Sequence, residues 1–481
     1  MNHLRRAAAD GWRLAGTVAI SALALATVPN LAQQAPTDAQ QPGVGAQVHT
    51  GTSSGLDTDA RLRNLLADHQ FQLIEAQLDA MAPAQAQFYR GILANRSNDS
   101  KTSIQLLEPL VEQVAASGDT GVPGDRSSSP GWDKAQEKLL RKALAEDYLR
   151  LGDWQKAAQA YQTLSNRLDA QLSADERDEI EMPLKLLPLA AANPPMTADP
   201  CDPFQLQVSK NPLGLLDVPI FVDARPHTWM LDPTAPFNLI SRSQAKEVGL
   251  KVSDQVATIH SLTGRPIQVH VAVVPRFTVG GRLTLRNMTA FVFEDADYAF
   301  PLTHYQVQGV LGYPALAALG SLTITADATI QVHPATQIRP PDPHDRLTTG
   351  ARFFLDGDQL LVALGDAGKE RIFAVDAAGQ QTYLTSRYFD EHASDFNDKK
   401  MEQFAIPGAP SGASQAAYVL ETLPLKVGEN TVHVHYVQVL TQPVGTAAID
   451  DVYGVLGIDA LDQLRAYTFD YRTMRFGVKP E

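Results

Sequence analysis

Gly309-Val310-Leu311-Gly312-Tyr313-Pro314-Ala315-Leu316 recurs 145 residues later as Gly454-Val455-Leu456-Gly457-Ile458-Asp459-Ala460-Leu461. A second match lies upstream of each copy. Trp229-Met230-Leu231-Asp232, followed by Asn238-Leu239-Ile240-Ser241-Arg242, returns as Phe373-Ala374-Val375-Asp376, followed by Thr382-Tyr383-Leu384-Thr385-Ser386-Arg387, at an offset of 144. Each unit thus has an aspartate ending an apolar strand, a short loop, a second apolar strand and, well downstream, an apolar-apolar-Gly element. Two coincidences at offsets within one residue of each other mark an internal duplication. The surrounding runs have strand texture: Val218 to Val222, Ile267 to Val271 and Thr431 to Tyr436 are rich in β-branched residues and bounded by turn formers. The C-terminal half is expected to hold two copies of one β domain.

The duplicated unit resembles the retropepsin-like (clan AA) aspartic peptidases, whose lobes carry Asp-Thr-Gly-[Ala/Ser] after an apolar strand and a later apolar-apolar-Gly. The resemblance spans residues 213–481 and implies an all-β, pepsin-type acid-protease fold with lobes at 213–345 and 346–481. It implies that Asp232 and Asp376 are the catalytic pair and that Gly312 and Gly457, in their Val-Leu-Gly elements, brace the two loops. Two such carboxylates, held about 3 Å apart, cannot both ionise and so share a proton. The ionised member draws a proton from the attacking water, and the protonated member hydrogen-bonds the peptide carbonyl. The pair titrates as a unit.

Both motifs depart from the family pattern. Asp232 is followed by Pro233-Thr234-Ala235, and Asp376 by Ala377-Ala378-Gly379. The family threonine cross-braces the two loops through its hydroxyl, which Pro233 and Ala377 lack. Thr234 and Ala378 each place a Cβ where the family glycine lets the chain pass beneath the carboxylates. A one-residue shift would let Gly379 serve as that glycine, with nothing comparable in the first unit. Two functions follow. One is an aspartic-type endopeptidase that binds extended peptides between its lobes. The other is a pseudo-peptidase, a non-catalytic scaffold that binds peptides or proteins. The segments Thr258 to Gly264 and Pro407 to Gln415 are the candidate flaps over the cleft.

The 481-residue chain is 44% hydrophobic and 20% charged, a globular composition. Forty Lys+Arg against 54 Asp+Glu give −14, which argues against nucleic acid as a partner. A single cysteine, Cys201, excludes an internal disulfide framework. Residues 1–32 read as a signal peptide: Arg5, Arg6 and Arg13 precede the apolar Leu14 to Val28, with cleavage near Ala26 or Ala32. An uncleaved anchor helix is the other reading. The mature chain is expected to be exported, periplasmic or secreted, without a membrane span. Residues 33–59 form a Gln-, Pro- and Gly-rich leader.

Residues 60–188 have helical periodicity, beginning with Leu62, Leu65, Leu66, Phe71, Ile74 and Leu78. The run Ala143 to Trp154, continuing through Ala157, Ala158 and Tyr161, resembles a tetratricopeptide repeat, with Gly152 at the inter-helix turn. Tyr89, Gly91, Leu93 and Ala94 begin a weaker copy, and Ser117 to Gly131 is an insertion. An unrelated helical hairpin layer is the alternative. The helical repeats are expected to offer a surface to a protein partner. Residues 189–212 are a Pro-rich linker that few contacts are expected to cross. No cofactor or metal is expected. His433 and His435 share a strand face but lack a third ligand, and Asp450-Asp451 lack the spacing of a calcium loop. Asn95, Asn98 and Asn287 fall in N-x-[ST] sequons.

Overall fold

The computed structural model describes residues 54–113, 132–260, 266–336, 350–357, 359–366, 368–405, 414–445 and 447–479. The expected signal segment, the leader up to residue 53 and the insertion Ser117 to Gly131 lie outside the described residues. Among the described residues, no helix is long and apolar enough to cross a membrane.

The N-terminal part is a layer of helices: α1 (Ser54–Ala67), α2 (Phe71–Glu75), α3 (Pro83–Arg96), α4 (Ser100–Leu107), α5 (Lys134–Arg150), α6 (Trp154–Leu168) and α7 (Ala174–Ala190). Local chemistry sets their ends. Asp133 with Gln136 and Ser173 with Glu176 form reciprocal capping boxes at α5 and α7. Gly152, at φ 72°, turns the chain between α5 and α6 in the left-handed region that favours glycine.

Two β units of matching topology follow. The first contains β1 (Leu216–Val222), β2 (Arg225–Leu231), β3 (Leu239–Ser241), β4 (Pro266–Val279), β5 (Leu283–Phe293) and β6 (Gly309–Leu311). The second contains β7 (Gln359–Asp366), β8 (Lys369–Val375), β9 (Tyr383–Leu384), β10 (Ser414–Val427), β11 (Asn430–Leu440) and β12 (Gly454–Leu456). In β1 the alternation Leu216, Val218, Ile220, Val222 is the buried face, as a period of two requires. In the first unit β6 runs parallel to β2 and antiparallel to β3. In the second β12 runs parallel to β8 and antiparallel to β9. The duplicated apolar-apolar-Gly element is therefore the middle strand of both triplets.

The units join through a central sheet formed by six strands at one end of a thirteen-stranded sheet, which continues from Ala351–Asp356 into β7 of the second unit. The six strands, in order, are Phe204–Gln207, Thr329–His333, Ser321–Thr325, Ala466–Asp470, Arg475–Val478 and Ala351–Asp356. At their centre the equivalent strands Ser321–Thr325 and Ala466–Asp470 pair antiparallel about Thr323 and Thr468. These two residues stand 145 positions apart, the repeat offset, and their hydroxyls are 2.9 Å apart. Each strand thus presents the same edge to the other, the self-complementary pairing of a two-fold axis.

The expected linker needs correcting. Within 189–212, Thr197–Ala198 pairs with β5, and Phe204–Gln207 closes one edge of the central sheet. Phe204, Leu206 and Val208 alternate with polar residues, the pattern of a half-buried strand, so this segment buries a face as soon as a sheet edge is offered. The helical layer is not a separate body either. Its core is continuous with the outer face of the second unit, where Phe71 meets Phe354 at a ring separation of 4.6 Å and Leu361, Ile372 and Ala374 are buried in the same cluster. Met182 and Leu186 of α7 enter the core of the first unit instead.

A half-buried aspartate between two buried cationic side chains pins this seam. Asp356 accepts from Arg96 at 2.9 Å and stands 2.9 Å from His69 Nε2. Burial alone would raise the Asp356 carboxyl, but the Arg96 charge and the His69 bond hold it far below the ordinary carboxylate range.

Candidate functional site

Asp232 and Asp376 each follow the last residue of the strand that pairs parallel with the apolar-apolar-Gly strand. Each backbone N–H is fixed by the neighbouring element: Asp232 N bonds Leu311 O at 3.3 Å, and Asp376 N bonds Leu456 O at 2.9 Å. The loops then turn back, with Ala235 N bonding Asp232 O at 3.2 Å and Gly379 N bonding Asp376 O at 3.0 Å. The two aspartates occupy the same point of the two units.

Beneath the loops, Gly312 and Gly457 play matching parts. Gly312 N–H donates to Asn238 Oδ1 at 3.1 Å, and Gly457 N–H to Thr382 Oγ1 at 2.9 Å. The next residues continue the brace, Tyr313 N to Ala235 O at 2.7 Å and Ile458 N to Gly379 O at 2.8 Å. A Cβ on Gly312 would lie 2.0 Å from Phe237 O, and one on Gly457 2.7 Å from Gln381 C, so both positions need a residue without a side chain.

The replaced motif positions behave differently in the two units. Thr234 was expected to crowd the first aspartate. Instead its N–H and its hydroxyl both donate to Asp232 Oδ1, at 2.9 and 2.7 Å. In the second unit Ala377 and Ala378 are buried, and Gly379 N–H donates to Asp376 Oδ1 at 2.7 Å. A Cβ on Gly379 would lie 2.5 Å from Asp376 Oδ2. Each carboxylate is thus held by an N–H of its own loop, two residues on in one case and three in the other. Pro233 has no hydroxyl to brace with, but its carbonyl accepts from Tyr471 at 2.8 Å. That bond reaches from the second unit to the first loop, and no local feature around Tyr471 announces it.

Both carboxyl groups are withdrawn from solvent: Asp232 is 0% and Asp376 4% exposed. Asp232 Oδ2 has no hydrogen-bond partner among the described residues. Burial pushes the Asp232 carboxyl up to about 7; the charge of Asp376 adds to the rise and the Thr234 bonds oppose it. Asp232 can therefore hold a proton at neutral pH, the condition for one member of a pair to donate while the other accepts.

A cavity of about 490 Å³ lies beside this loop, and Pro233 and Thr234 line it, but neither aspartate does. The candidate flaps are described only in part. Ala257–His260 and β4 flank residues 261–265, and Glu402–Ala405 and β10 flank residues 406–413; both tips lie outside the described residues. His433 and His435 are exposed, and no group of three or more His, Cys, Asp or Glu suited to a metal occurs among the described residues. Asp450 caps a loop by accepting from Val444 N and Gly445 N at 2.7 and 2.8 Å. Asn95 is buried and donates to Ala143 O and Asp147, so its sequon is closed in this fold.

Residues 218–315 match the family model described as aspartyl protease, a stretch that takes in Asp232 and Gly312 and ends before Asp376. Among solved structures, the chain is similar to conglutin gamma, a basic 7S globulin from lupine seeds, at 10% identity and a TM-score of 0.37, covering 59% of this chain and 96% of that one. Basic 7S globulin from soybean matches at 11% identity and a TM-score of 0.35, covering 58% and 95%. A retropepsin-like aspartic protease from Rickettsia conorii matches at 14% identity and a TM-score of 0.20, covering 29% of this chain and 96% of that one. No curated protein matches the chain.

Proposed function

We propose that this chain is an exported, two-lobed aspartic-type peptidase that binds an extended peptide between its β units and hydrolyses it with Asp232 and Asp376. The observation that carries the reading is the placement of the two aspartates at equivalent points of twin strand triplets, with the charge of Asp376 felt at Asp232 and the Asp232 carboxyl held protonated up to about pH 7. In the reaction Asp376 takes a proton from water as it attacks the peptide carbonyl, and Asp232 donates its proton to the carbonyl oxygen. The helical hairpins α3–α4 and α5–α6 are then units of a tetratricopeptide type that offer a surface to a protein partner.

The test is hydrolysis of a peptide library between pH 3 and 8 by the wild type, Asp232→Asn and Asp376→Asn. Turnover should vanish in both variants; equal turnover in all three proteins refutes the assignment. The near-complete burial of both carboxyls favours a second reading, a non-catalytic peptide-binding scaffold. Peptide binding without turnover at any pH in the wild type would select it.

A further inference from the structure

The charged groups that line the cavity beside the Asp232 loop all come from the helical layer: Asp99, Lys101, Glu146 and Arg150. Three of them are accounted for. Asp99 caps α4 by accepting from Thr102 N at 3.2 Å, and Lys101 is exposed to solvent. Arg150 donates to Asn95 O at 2.7 Å and to Gly357 O at 3.2 Å, tying α5 to the hairpin that opens the second unit. Glu146 is different. Its side chain is 7% exposed, and its Oε2 faces Arg96 at 3.4 Å and Arg150 at 3.6 Å. Its Oε1 is buried and has no hydrogen-bond partner among the described residues. A buried carboxylate oxygen without a donor is costly, and such groups are few in native proteins.

The rest of the wall is mostly apolar. Phe237 and Phe291 come from the first unit, Met182 and Leu186 from α7, and Leu355 and Leu360 from the hairpin of the second unit. An apolar space of about 490 Å³ with one unmatched polar group is the form of a site for a small apolar molecule with a single orienting contact. The charges select the head group of that molecule. A carboxylate or phosphate would set one anion against another at Oε1. An ammonium would enter beside the guanidinium groups of Arg96 and Arg150, which already neutralise Glu146. A plain hydrocarbon would leave Oε1 unmatched. A neutral hydroxyl satisfies it and adds no charge.

We propose that this cavity binds an apolar alcohol, its hydrocarbon body held among the aromatic and aliphatic side chains and its hydroxyl donating to Glu146 Oε1. The site is separate from the acid pair, since neither aspartate lines it, and it does not depend on the peptidase reading. All three parts of the molecule contribute to the wall, so an occupant holds the helical layer to both β units and stabilises the assembled state.

The test uses the full-length protein with four probes of one length: decanol, methyl nonyl ether, decanoate and decylamine. Binding is read from the emission of Trp154, which lines the cavity, with Trp154→Phe identifying its share of the signal. The urea midpoint, which a ligand of the folded state raises, is the independent readout. Decanol should bind about 10- to 100-fold more tightly than the ether, the value of a hydrogen bond to a charged acceptor, and more tightly than either ion. Glu146→Gln keeps the shape and removes the charge, and should shrink the decanol-to-ether ratio to about threefold. Ala318→Phe, which narrows the cavity from the helix Tyr313–Leu319, should weaken decanol and ether together. Equal binding of decanol and ether to the wild type overturns the contact with Glu146. So does a ratio that Glu146→Gln leaves unchanged. Tighter binding of decylamine or decanoate overturns the choice of an alcohol. No response of either readout to any probe overturns the site. The wild-type comparison of the four probes decides the matter even where a variant fails to fold, and none of the outcomes depends on peptide turnover.

Discussion

Replacing Asp232 by asparagine should change how folding stability depends on pH, by an amount the structure sets. The Asp232 carboxyl is raised to about 7, from an ordinary 3.8, by its burial and by the charge of Asp376. In the unfolded chain the group loses its proton near the ordinary value; in the folded chain it keeps the proton to about pH 7. The folded state therefore binds the extra proton between those values. The associated stability is fully present below about pH 4 and is lost as pH rises through about 7. At roughly 1.4 kcal/mol per unit, the wild type should lose about 4 kcal/mol across that window through this one group. Asparagine cannot ionise and escapes the loss. Protonated acid and amide both bring a donor to the Oδ2 position, so the two proteins should start within about 1 kcal/mol of each other at pH 4. The variant should then gain about 4 kcal/mol on the wild type by pH 8. Urea unfolding at half-unit pH steps measures this, followed by the emission of Trp229, a fully buried reporter on β2. Parallel pH profiles, or a variant that loses ground as pH rises, would refute the account of the buried carboxyl.

Three further outcomes follow from neighbouring contacts. Thr234→Ala removes the hydroxyl that favours the Asp232 carboxylate at 2.7 Å, so the carboxyl should ionise at still higher pH and the alkaline limb of the pH–rate profile should move up. Gly379→Ala forces a Cβ to within 2.5 Å of Asp376 Oδ2, and should cost about 1–3 kcal/mol in urea unfolding and abolish turnover. Asp356→Asn leaves Arg96 buried without its closest carboxylate and should cost about 3–5 kcal/mol, visible as faster amide exchange in α3 and α5 before the first β unit is affected.

Much of the fold was legible because it occurs twice. The two offsets, 145 and 144, pair Asp232 with Asp376 and Gly312 with Gly457 in the sequence itself. A glycine demanded by a close backbone approach leaves the same mark in both copies. The loops themselves were harder. Thr234 read as an added Cβ, since the sequence does not disclose that its hydroxyl turns toward Asp232 Oδ1. Gly379 was visible as a candidate, and the turn closed by its N–H onto Asp376 O is what aims it at the carboxylate. Phe204–Gln207 was hidden beneath the proline-rich run before it, and its partner strand Thr329–His333 lies far downstream. Pairing across such a separation leaves no local trace. The helical stripe through Phe71 and Ile74 announced a buried face, but not that Phe354 would cover it. Tyr471 illustrates the general limit: its bond to Pro233 is a product of the whole assembly.

The order of strands in the central sheet governs when this chain can finish folding. Its middle is Ser321–Thr325 against Ala466–Asp470, and Arg475–Val478 lies between Ala466–Asp470 and Ala351–Asp356. Strands from the last sixteen residues thus stand between those that emerge long before them during synthesis. A growing chain can collapse its helices and close the hairpins of each unit as they appear, since those contacts are local. The sheet that joins the two units must wait for Ala466–Asp470, with the Ser321–Thr325 edge open in the meantime. The two β units therefore join only once Ala466–Asp470 and Arg475–Val478 have been made, and deleting these strands removes the link between them.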